Sequence, residues 1–254
     1  MIFIWCIMKL TYGQQTIDLF DKMIPQRIIL NLSGGLDSAS LCYLICTHFP
    51  QIEIVPFTSR DKHAPFDTYC AYDIVAWMKD RFPHVKFLDH YVEEFDTKDP
   101  VLRKHAEDTW DDYKVLIDGE LKPRCGTISG LVKVQEIHKH ISRCLELYPD
   151  ALPVTAMTKN PPLDIMIKEG FDHLAESRRT YTNPRPEWGK NYQPYVNVDK
   201  KFVAGVFEEN NLMDSLFPLT GSCIGTAEQT DYFQKECHQC FWCYEKKWAF
   251  NLEW

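Results

Sequence analysis

A run of small and polar residues, SGGLDS at positions 33–38, has the composition of a loop that binds phosphate groups. It follows the short β-branched run at 27–32 and precedes the apolar run at 36–49, which predict a buried strand and a helix. At such a junction, free backbone N–H groups and the positive end of the helix dipole point towards one place. Gly34 and Gly35 let the backbone come close to phosphate oxygens. The sequence therefore predicts an anion site at the start of this helix.

The side chains of this loop indicate which ligand it holds. Ser33 and Ser38 can donate hydroxyl hydrogen bonds to phosphate, whereas Asp37 would repel bare phosphate and is interpreted as a magnesium ligand. The lysine-bearing loop GxxxxGK[ST] and the dinucleotide fingerprint GxGxxG are both absent. The alternative is a plain helix N-cap with a glycine turn. The predicted nucleotide-binding residues of this loop are Ser33, Gly34, Gly35, Leu36, Asp37 and Ser38.

Four cysteines near the C-terminus have the spacing of a metal site. Cys237, Cys240 and Cys243 recur at every third position, and Cys223 lies upstream of them. Four thiolates satisfy a tetrahedral zinc ion, and such closed sites are normally structural. An iron–sulfur cluster, a redox pair and accidental clustering are the alternatives, and His238 could replace one thiolate. The spacing thus predicts zinc bound by these cysteines.

Predicted strands and helices alternate along most of the chain. Strands are predicted at 27–32, 52–58, 84–92 and 151–158, and helices at 36–49, 65–81, 100–117, 128–147 and 199–210. This alternation is typical of βαβ units. We therefore expect an α/β fold whose parallel sheet carries helices on both faces. The proline-rich stretch 159–194 is expected to be an irregular, lid-like excursion with one helix at 163–177.

Composition places the chain among globular proteins. Its 254 residues are 45% hydrophobic, which excludes a disordered or collagen-like chain. A formal charge of −8 lacks the basic character of a protein that binds nucleic acid over a wide surface. We expect one α/β domain at 1–211 and a cysteine-bearing appendage at 212–254. The apolar run at 1–8 is too short to span a bilayer, and Met8 is an alternative start.

The distribution of the ten cysteines indicates the compartment. Besides the four predicted metal ligands, four fall in predicted helices and are interpreted as small core residues: Cys42, Cys46, Cys70 and Cys144. This division favours a reducing compartment over a disulfide-bonded, secreted protein. We therefore expect a cytoplasmic protein.

The motif SGGxDS between a strand and a helix resembles that of the PP-loop ATP pyrophosphatase superfamily. Its members cleave ATP between the α- and β-phosphates, adenylate a substrate and share an adenine nucleotide alpha hydrolase-like, Rossmann-like fold. Residues 194–203 are similar to the superfamily's late segment, in which a lysine opens a helix six positions after a proline. Lys200 matches that lysine, so the resemblance implies that it neutralises the leaving pyrophosphate. The alternative is a solvated lysine at a helix start.

The C-terminal segment narrows the resemblance to 7-cyano-7-deazaguanine synthase. Residues 219–223 (LTGSC), the three spaced cysteines and residues 245–250 (EKKWAF) match the tail of that family in order. Pro123 and Arg124 loosely resemble its central Pro-x-Arg-Asn segment. Gly221 stands where the family has tryptophan, and residues 58–61 (TSRD) replace its Asp-Tyr-Gly-Gln run. Its later Tyr-Pro-Asp-Cys-Arg run is missing as well. The departures lie in segments that face the base substrate in that family.

The resemblance implies an ATP-dependent ligase that forms a C–N bond. A carboxylate, 7-carboxy-7-deazaguanine or a related deazaguanine, would attack the α-phosphate of ATP, and ammonia would then displace AMP to give an amide. A second ATP-dependent round would dehydrate the amide to a nitrile. The implied cofactors are ATP, magnesium and zinc, and the implied partners are the small carboxylate and ammonia, without nucleic acid or membrane. A homodimer is left open.

The same resemblance assigns the catalytic work to charge and positioning. Asp37, Lys200 and Arg124 are the expected catalytic residues, and Arg124 would contact substrate or phosphate unless it forms a structural ion pair. Two other functions stay open. An adenylating sulfur transferase would need a reactive cysteine outside the metal site, for which Cys125 is the loop candidate. A non-catalytic nucleotide-binding module is the third reading, although Gly34, Gly35 and Asp37 are intact.

Overall fold

The fold is built around a four-stranded parallel sheet. The computed structural model describes residues 8–20, 23–63, 66–117, 120–123, 127–174 and 191–253. In chain order the strands are β1 (Met8–Tyr12), β2 (Gln15–Leu19), β3 (Arg27–Asn31), β4 (Glu53–Asp61), β5 (Tyr91–Phe95), β6 (Lys114–Ile117), β7 (Glu120–Pro123) and β8 (Leu152–Thr155). The helices are α1 (Leu36–His48), α2 (Phe66–Arg81), α3 (Pro100–Asp108), α4 (Ile128–Leu147), α5 (Leu163–Lys168), α6 (Lys200–Glu209) and α7 (Phe241–Phe250). The sheet has the order β5-β4-β3-β8, and every neighbouring pair is parallel.

Helices cover both faces of this sheet, which confirms the predicted α/β class. Ile28 and Leu30 of β3 belong to one apolar core that includes residues of α1, α2 and α6. Ile29, which points the other way, packs in a second core with Ile141 and Cys144 of α4. A strand buried on both faces is apolar at consecutive positions, which explains the unbroken run IIL in β3.

A hairpin formed by β1 and β2 packs against the helix that begins at Lys200. Tyr12 contacts Phe202 edge to face, with ring centroids 5.7 Å apart. The turn approaches α6 so closely that a Cβ atom on Gly205 would lie 2.5 Å from the backbone nitrogen of Gly13. Only glycine at position 205 fits this approach without a shift of the backbone.

The predicted bounds of the third strand, 84–92, were wrong because the edge of the sheet is interrupted within this stretch and the observed strand is β5. Lys86 and Leu88 bond to the two backbone groups of Ile54, but regular pairing with β4 resumes only at β5. The break at 89–90 lies opposite Pro56, whose nitrogen faces the same side as that of Ile54 and cannot donate a hydrogen bond. This break also explains why proline is tolerated inside β4, which continues to Asp61 rather than ending at the predicted residue 58.

Two helices are also shorter in the structure than the sequence predicts. The helix predicted at 100–117 ends at Asp108, where the Thr109 hydroxyl donates to the His105 carbonyl oxygen over 2.8 Å. A 3-10 turn and then β6 follow, in keeping with the β-branched residues at 115 and 117. The helix predicted at 163–177 ends at Lys168, and Gly170 adopts a φ of 76°, a conformation that stops helices. Residues 175–177 of that prediction lie outside the described residues.

Candidate functional site

The order of the strands places a crevice beside the loop at 33–38. From β3 the chain moves outward through β4 to β5, whereas β8 lies on the opposite side of β3. In open parallel sheets, ligands bind beyond the carboxyl ends of the strands at the point where the strand order reverses. Here Ser33 follows the end of β3, and Thr158 follows the end of β8. The predicted phosphate loop therefore lies at this reversal point.

The backbone of the loop has the conformation that its glycines permit. Gly34 has a φ of 78°, in the left-handed region where a side chain would be strained. The Ser38 hydroxyl donates to the Gly35 carbonyl oxygen over 3.0 Å and accepts from the backbone N–H of Ser33 at 3.2 Å. These bonds fold the loop over the first turn of α1, while the Ser33 side chain is left exposed.

Helix α1 begins in a way that suits an anion. The N-termini of α3, α4 and α6 are capped by side chains that accept hydrogen bonds from first-turn N–H groups. At α1 the N-cap is Gly35, which has no side chain to serve this purpose. Phosphate oxygens can therefore take the place of a capping side chain at this end of α1.

Asp37 and Lys200, which lie 163 residues apart in sequence, meet at the start of this helix. The Lys200 Nζ donates to Asp37 Oδ1 over 2.6 Å, and the Thr158 hydroxyl donates to Asp37 Oδ2 over 3.2 Å. A third contact joins Lys200 Nζ to Glu245 Oε2 at 3.5 Å. Lys200 is only 4% exposed and Glu245 is fully buried. The site thus holds one ammonium group between two carboxylates.

The elements around Lys200 fix where this side chain starts. Lys200 is the first residue of α6, and the N-cap Asp199 accepts a hydrogen bond from the Lys201 N–H over 2.9 Å. Gln15 of the hairpin bonds twice to Asp199, through its amide nitrogen at 2.7 Å and its amide oxygen at 3.0 Å. The helix start predicted near residue 199 is confirmed, and the hairpin stabilises it.

The C-terminal segment contacts the phosphate loop directly. The backbone N–H of Gly221 donates to the Gly34 carbonyl oxygen over 3.0 Å. The next residue, Ser222, donates its backbone N–H to Glu236, which also accepts from Lys246 at 3.0 Å. The loop at 33–38 is therefore supported by the same segment that carries the four cysteines.

The four predicted metal ligands converge on one point. The sulfur atoms of Cys223, Cys237, Cys240 and Cys243 all lie within 4.8 Å of one another. The Cys240 and Cys243 sulfurs are 3.6 Å apart, and those of Cys237 and Cys243 are 4.0 Å apart. A tetrahedral zinc ion with bonds of about 2.3 Å requires sulfur atoms about 3.8 Å apart. The cluster has the dimensions of a site for one ion.

Backbone groups of the same segment are arranged to stabilise sulfur as thiolate. Cys223 Sγ accepts from the N–H groups of Gly225 and Cys237, each at 3.2 Å, and Cys237 Sγ accepts from the Cys240 N–H at 3.3 Å. Hydrogen bonds from the Cys223 and Cys243 thiols lower the pKa of Cys240. Such N–H···S bonds are the surroundings that a bound metal needs.

The other described cysteines behave as the sequence predicts, with one exception. Cys42, Cys46 and Cys144 are buried, whereas Cys70 is only half-buried on α2. Burial raises the pKa of the Cys144 thiol to about 11. None of these four lies in the metal cluster.

Several contacts of the site were missed by reasoning from sequence. Thr158 was taken only as the end of a strand, and Glu245 only as part of a matching tail. Glu245 could have been found from its position, since a lone carboxylate four residues after Phe241 and four before Ala249 falls on the apolar face of a helix. Arg124 and Cys125 lie outside the described residues, and their roles stay predictions.

A second polar cluster lies at the carboxyl end of β4, next to the crevice. Thr58 donates to the Leu32 carbonyl oxygen over 2.6 Å, and its hydroxyl is 2.9 Å from His90 Nε2. Burial, together with the charge of Lys79, lowers the pKa of His90 to about 4. On the other side of β4, the Ser59 hydroxyl is 2.8 Å from Nδ1 of buried His140. Burial lowers the pKa of His140 as well, so both imidazoles are neutral at pH 7.

Comparison with known proteins finds solved structures that are similar to this chain only at low sequence identity. No family model matches the sequence, and no curated protein matches it. Among solved structures, NMN synthetase from Francisella tularensis is 15% identical with a TM-score of 0.40, over 90% of this chain and 88% of that one. A U34-tRNA thiolase with a [4Fe-4S] cluster from Methanococcus maripaludis is 12% identical with a TM-score of 0.40, over 90% of this chain and 66% of its own.

A third solved structure is much longer than this chain. Glutamine-dependent NAD+ synthetase from Acinetobacter baumannii, solved with ADP, is 11% identical with a TM-score of 0.39 over 77% of this chain. The chain spans only 31% of the length of that synthetase.

Within the described part of the chain, no helix is long and apolar enough to cross a membrane.

Proposed function

We propose that this protein is an ATP-dependent adenylating enzyme that releases pyrophosphate. The observation that carries the proposal is the meeting of Asp37, Lys200 and the first turn of α1 at the reversal point of the sheet. A glycine-capped helix start can bind phosphate oxygens, an adjacent carboxylate can hold a cation, and a buried ammonium group can stabilise negative charge. These three functions are what cleavage of ATP at its α-phosphate requires.

Each residue then has a defined task. The backbone N–H groups at the start of α1 and the exposed Ser33 hydroxyl bind phosphate oxygens, while the Ser38 hydroxyl holds the loop in its fold through Gly35. Asp37 would hold a magnesium ion, which needs only one or two protein carboxylates beside the phosphates and would neutralise part of their charge. Lys200, released from Asp37, binds the leaving pyrophosphate. No protein nucleophile is needed, so positioning and charge neutralisation provide the catalysis.

The cysteine cluster has a structural task in this proposal. Four sulfurs occupy all positions of a tetrahedral ion, which leaves no open position for substrate. Zinc is the ion that fits four thiolates at these separations, and it would fix the segment that contacts the phosphate loop. Bound in this way, it supplies no chemistry to the reaction.

For the acceptor we propose a small carboxylate, amidated by ammonia after adenylation. The support is the resemblance of the tail at 219–250 to 7-cyano-7-deazaguanine synthase. The chain differs from that family at 58–61, where Thr58 of β4 is buried and bonds to neutral His90. A deazaguanine carboxylate is therefore the first compound class to test, and its close relatives follow.

The test is a mass-spectrometric assay with magnesium-ATP, ammonia and a panel of deazaguanine carboxylates. We expect AMP and pyrophosphate with the accepted compound, together with its amide or nitrile. Lys200→Met should lower the rate by about 100-fold or more, the usual cost of losing a group that stabilises transition-state charge. The matched control is Lys201→Met, which removes the exposed neighbouring lysine and should leave the rate unchanged.

Other products would point to the alternatives. ADP and orthophosphate would contradict the proposal, and binding of ATP without any cleavage would indicate a non-catalytic module. A thiolated nucleobase formed with a sulfur donor, and lost in Cys125→Ser, would identify a sulfur transferase instead.

A further inference from the structure

We infer that Glu245 is a positioning residue that holds Lys200 for the phosphates of ATP, an inference that rests on the proposed adenylation site. Its carboxylate lies 3.5 Å from Lys200 Nζ, on a fully buried side chain. A buried carboxylate is costly unless it is paired, so its place beside a buried ammonium group is strongly constrained. Glu245 itself need not touch the substrate to act in this way.

The need for a second carboxylate follows from what Asp37 must do. Lys200 bonds to Asp37 at 2.6 Å, the shorter of its two carboxylate contacts. If Asp37 held a magnesium ion, this contact would no longer be available to position Lys200 for the phosphates. A lysine ammonium has three N–H donors on a flexible stem. Glu245 can hold one of them while the others bind pyrophosphate oxygens.

The surrounding elements make Glu245 a fixed anchor. It lies in α7, whose N-cap is the cluster residue Cys240, and it follows Cys243 by two positions. At the other end of α7, Phe250 packs against Phe207 of α6, with ring centroids 5.9 Å apart. Helix α7 is thus held at the cysteine cluster and against the helix that carries Lys200. The carboxylate is therefore fixed relative to the backbone of Lys200.

A plain structural ion pair between α6 and α7 would show the same contact, and a double-mutant cycle separates the two roles. The probe is magnesium-α,β-methylene-ATP, which cannot be cleaved between the α- and β-phosphates, with affinity measured by titration calorimetry. Glu245→Gln should weaken binding by about 10-fold, the lower end of the range for groups that orient a binding side chain. In the Lys200→Met background the same substitution should have no further effect, because its target is gone.

The matched control is Glu208→Gln, which removes an exposed carboxylate from α6 and should bind the analogue as the wild type does. The inference is overturned if Glu245→Gln lowers the melting temperature but binds the analogue like the wild type. It is also overturned if Glu245→Gln weakens binding by the same factor with and without Lys200. If Glu245→Gln does not fold, Glu245→Asp keeps the charge on a shorter stem and should weaken binding by a few-fold, again only when Lys200 is present. A wild type that fails to bind the analogue would instead contradict the proposed function.

Discussion

At the scale of single residues, the site depends on groups whose neighbours set their charge. Lys200 is almost completely buried, and its ammonium group is paired there with the carboxylates of Asp37 and Glu245, which lie on either side of it. His90 is the opposite case, since burial and the charge of Lys79 lower its pKa to about 4. Because the Thr58 hydroxyl donates its hydrogen to the Leu32 carbonyl oxygen, Nε2 of the neutral His90 is the donor to Thr58.

The neutral His90 leads to a prediction on stability and pH. In the unfolded chain a histidine has a pKa near 6.5, so the unfolded state takes up a proton first as the pH falls. The contribution of His90 to stability is therefore complete above about pH 6.5 and is lost progressively towards pH 4. Urea unfolding at pH 7.5 and pH 5 should show this loss, and His90→Gln should reduce it. His84→Gln, at an exposed position, should keep the wild-type difference; an equal reduction in both variants would contradict the assignment.

At the scale of elements, the segment between residue 219 and α7 connects the cysteine cluster to the loop at 33–38. Cys223 lies one residue after Ser222 and two after Gly221, the residue that donates to Gly34. At the other side of the cluster, Cys243 precedes Glu245 in the first turns of α7. We therefore expect a change in the cysteine cluster to reach both the loop at 33–38 and Lys200.

This connection predicts that metal and nucleotide binding fall together. Cys240→Ser should lower the metal content from about one zinc per chain and should also weaken the methylene-ATP analogue, because the contact of Gly221 with the loop loosens. Metal analysis by mass spectrometry and calorimetry measure the two quantities. Cys70→Ser, which changes a cysteine outside the cluster, should affect neither. A metal-free variant that binds the analogue at full strength would show that the two sites are independent.

Much of the element order could be predicted from sequence because buried strands and amphipathic helices have clear periodicity. The loop at 33–38 and the cysteine spacing were identified from local patterns, since their residues are close in sequence. The contacts of Thr158 and Glu245 could not be identified from local patterns, because each contact joins positions more than 40 residues apart in the chain. The break in the sheet edge at 89–90 was missed because it depends on Pro56, which lies in the neighbouring strand and not in the same local pattern.

At the scale of the whole molecule, the hairpin packs closely against α6 at Gly205 and holds that helix in place. Gly205→Ala should lower the free energy of unfolding by about 1–3 kcal/mol, the usual cost of forcing extra atoms into a packed site. Its Cβ would lie 2.5 Å from the Gly13 nitrogen and 3.0 Å from the Tyr12 carbonyl carbon, so the turn must move. Denaturant titration measures the change. Glu208→Ala, on the exposed face of the same helix, should cost far less, and equal losses would refute the packing explanation.

The hairpin also has a consequence for how the protein is made. Gly13 of the turn contacts Glu209 across 196 positions, and Asp37 contacts Lys200 across 163. Contacts of such separation close late, because the cost in chain entropy must be met before they form. During synthesis, the first strands and the loop at 33–38 leave the ribosome long before α6 and the four clustered cysteines do. A nascent chain therefore carries an incomplete nucleotide site until α6 and α7 have been synthesised, and ATP can be bound as proposed only after that point.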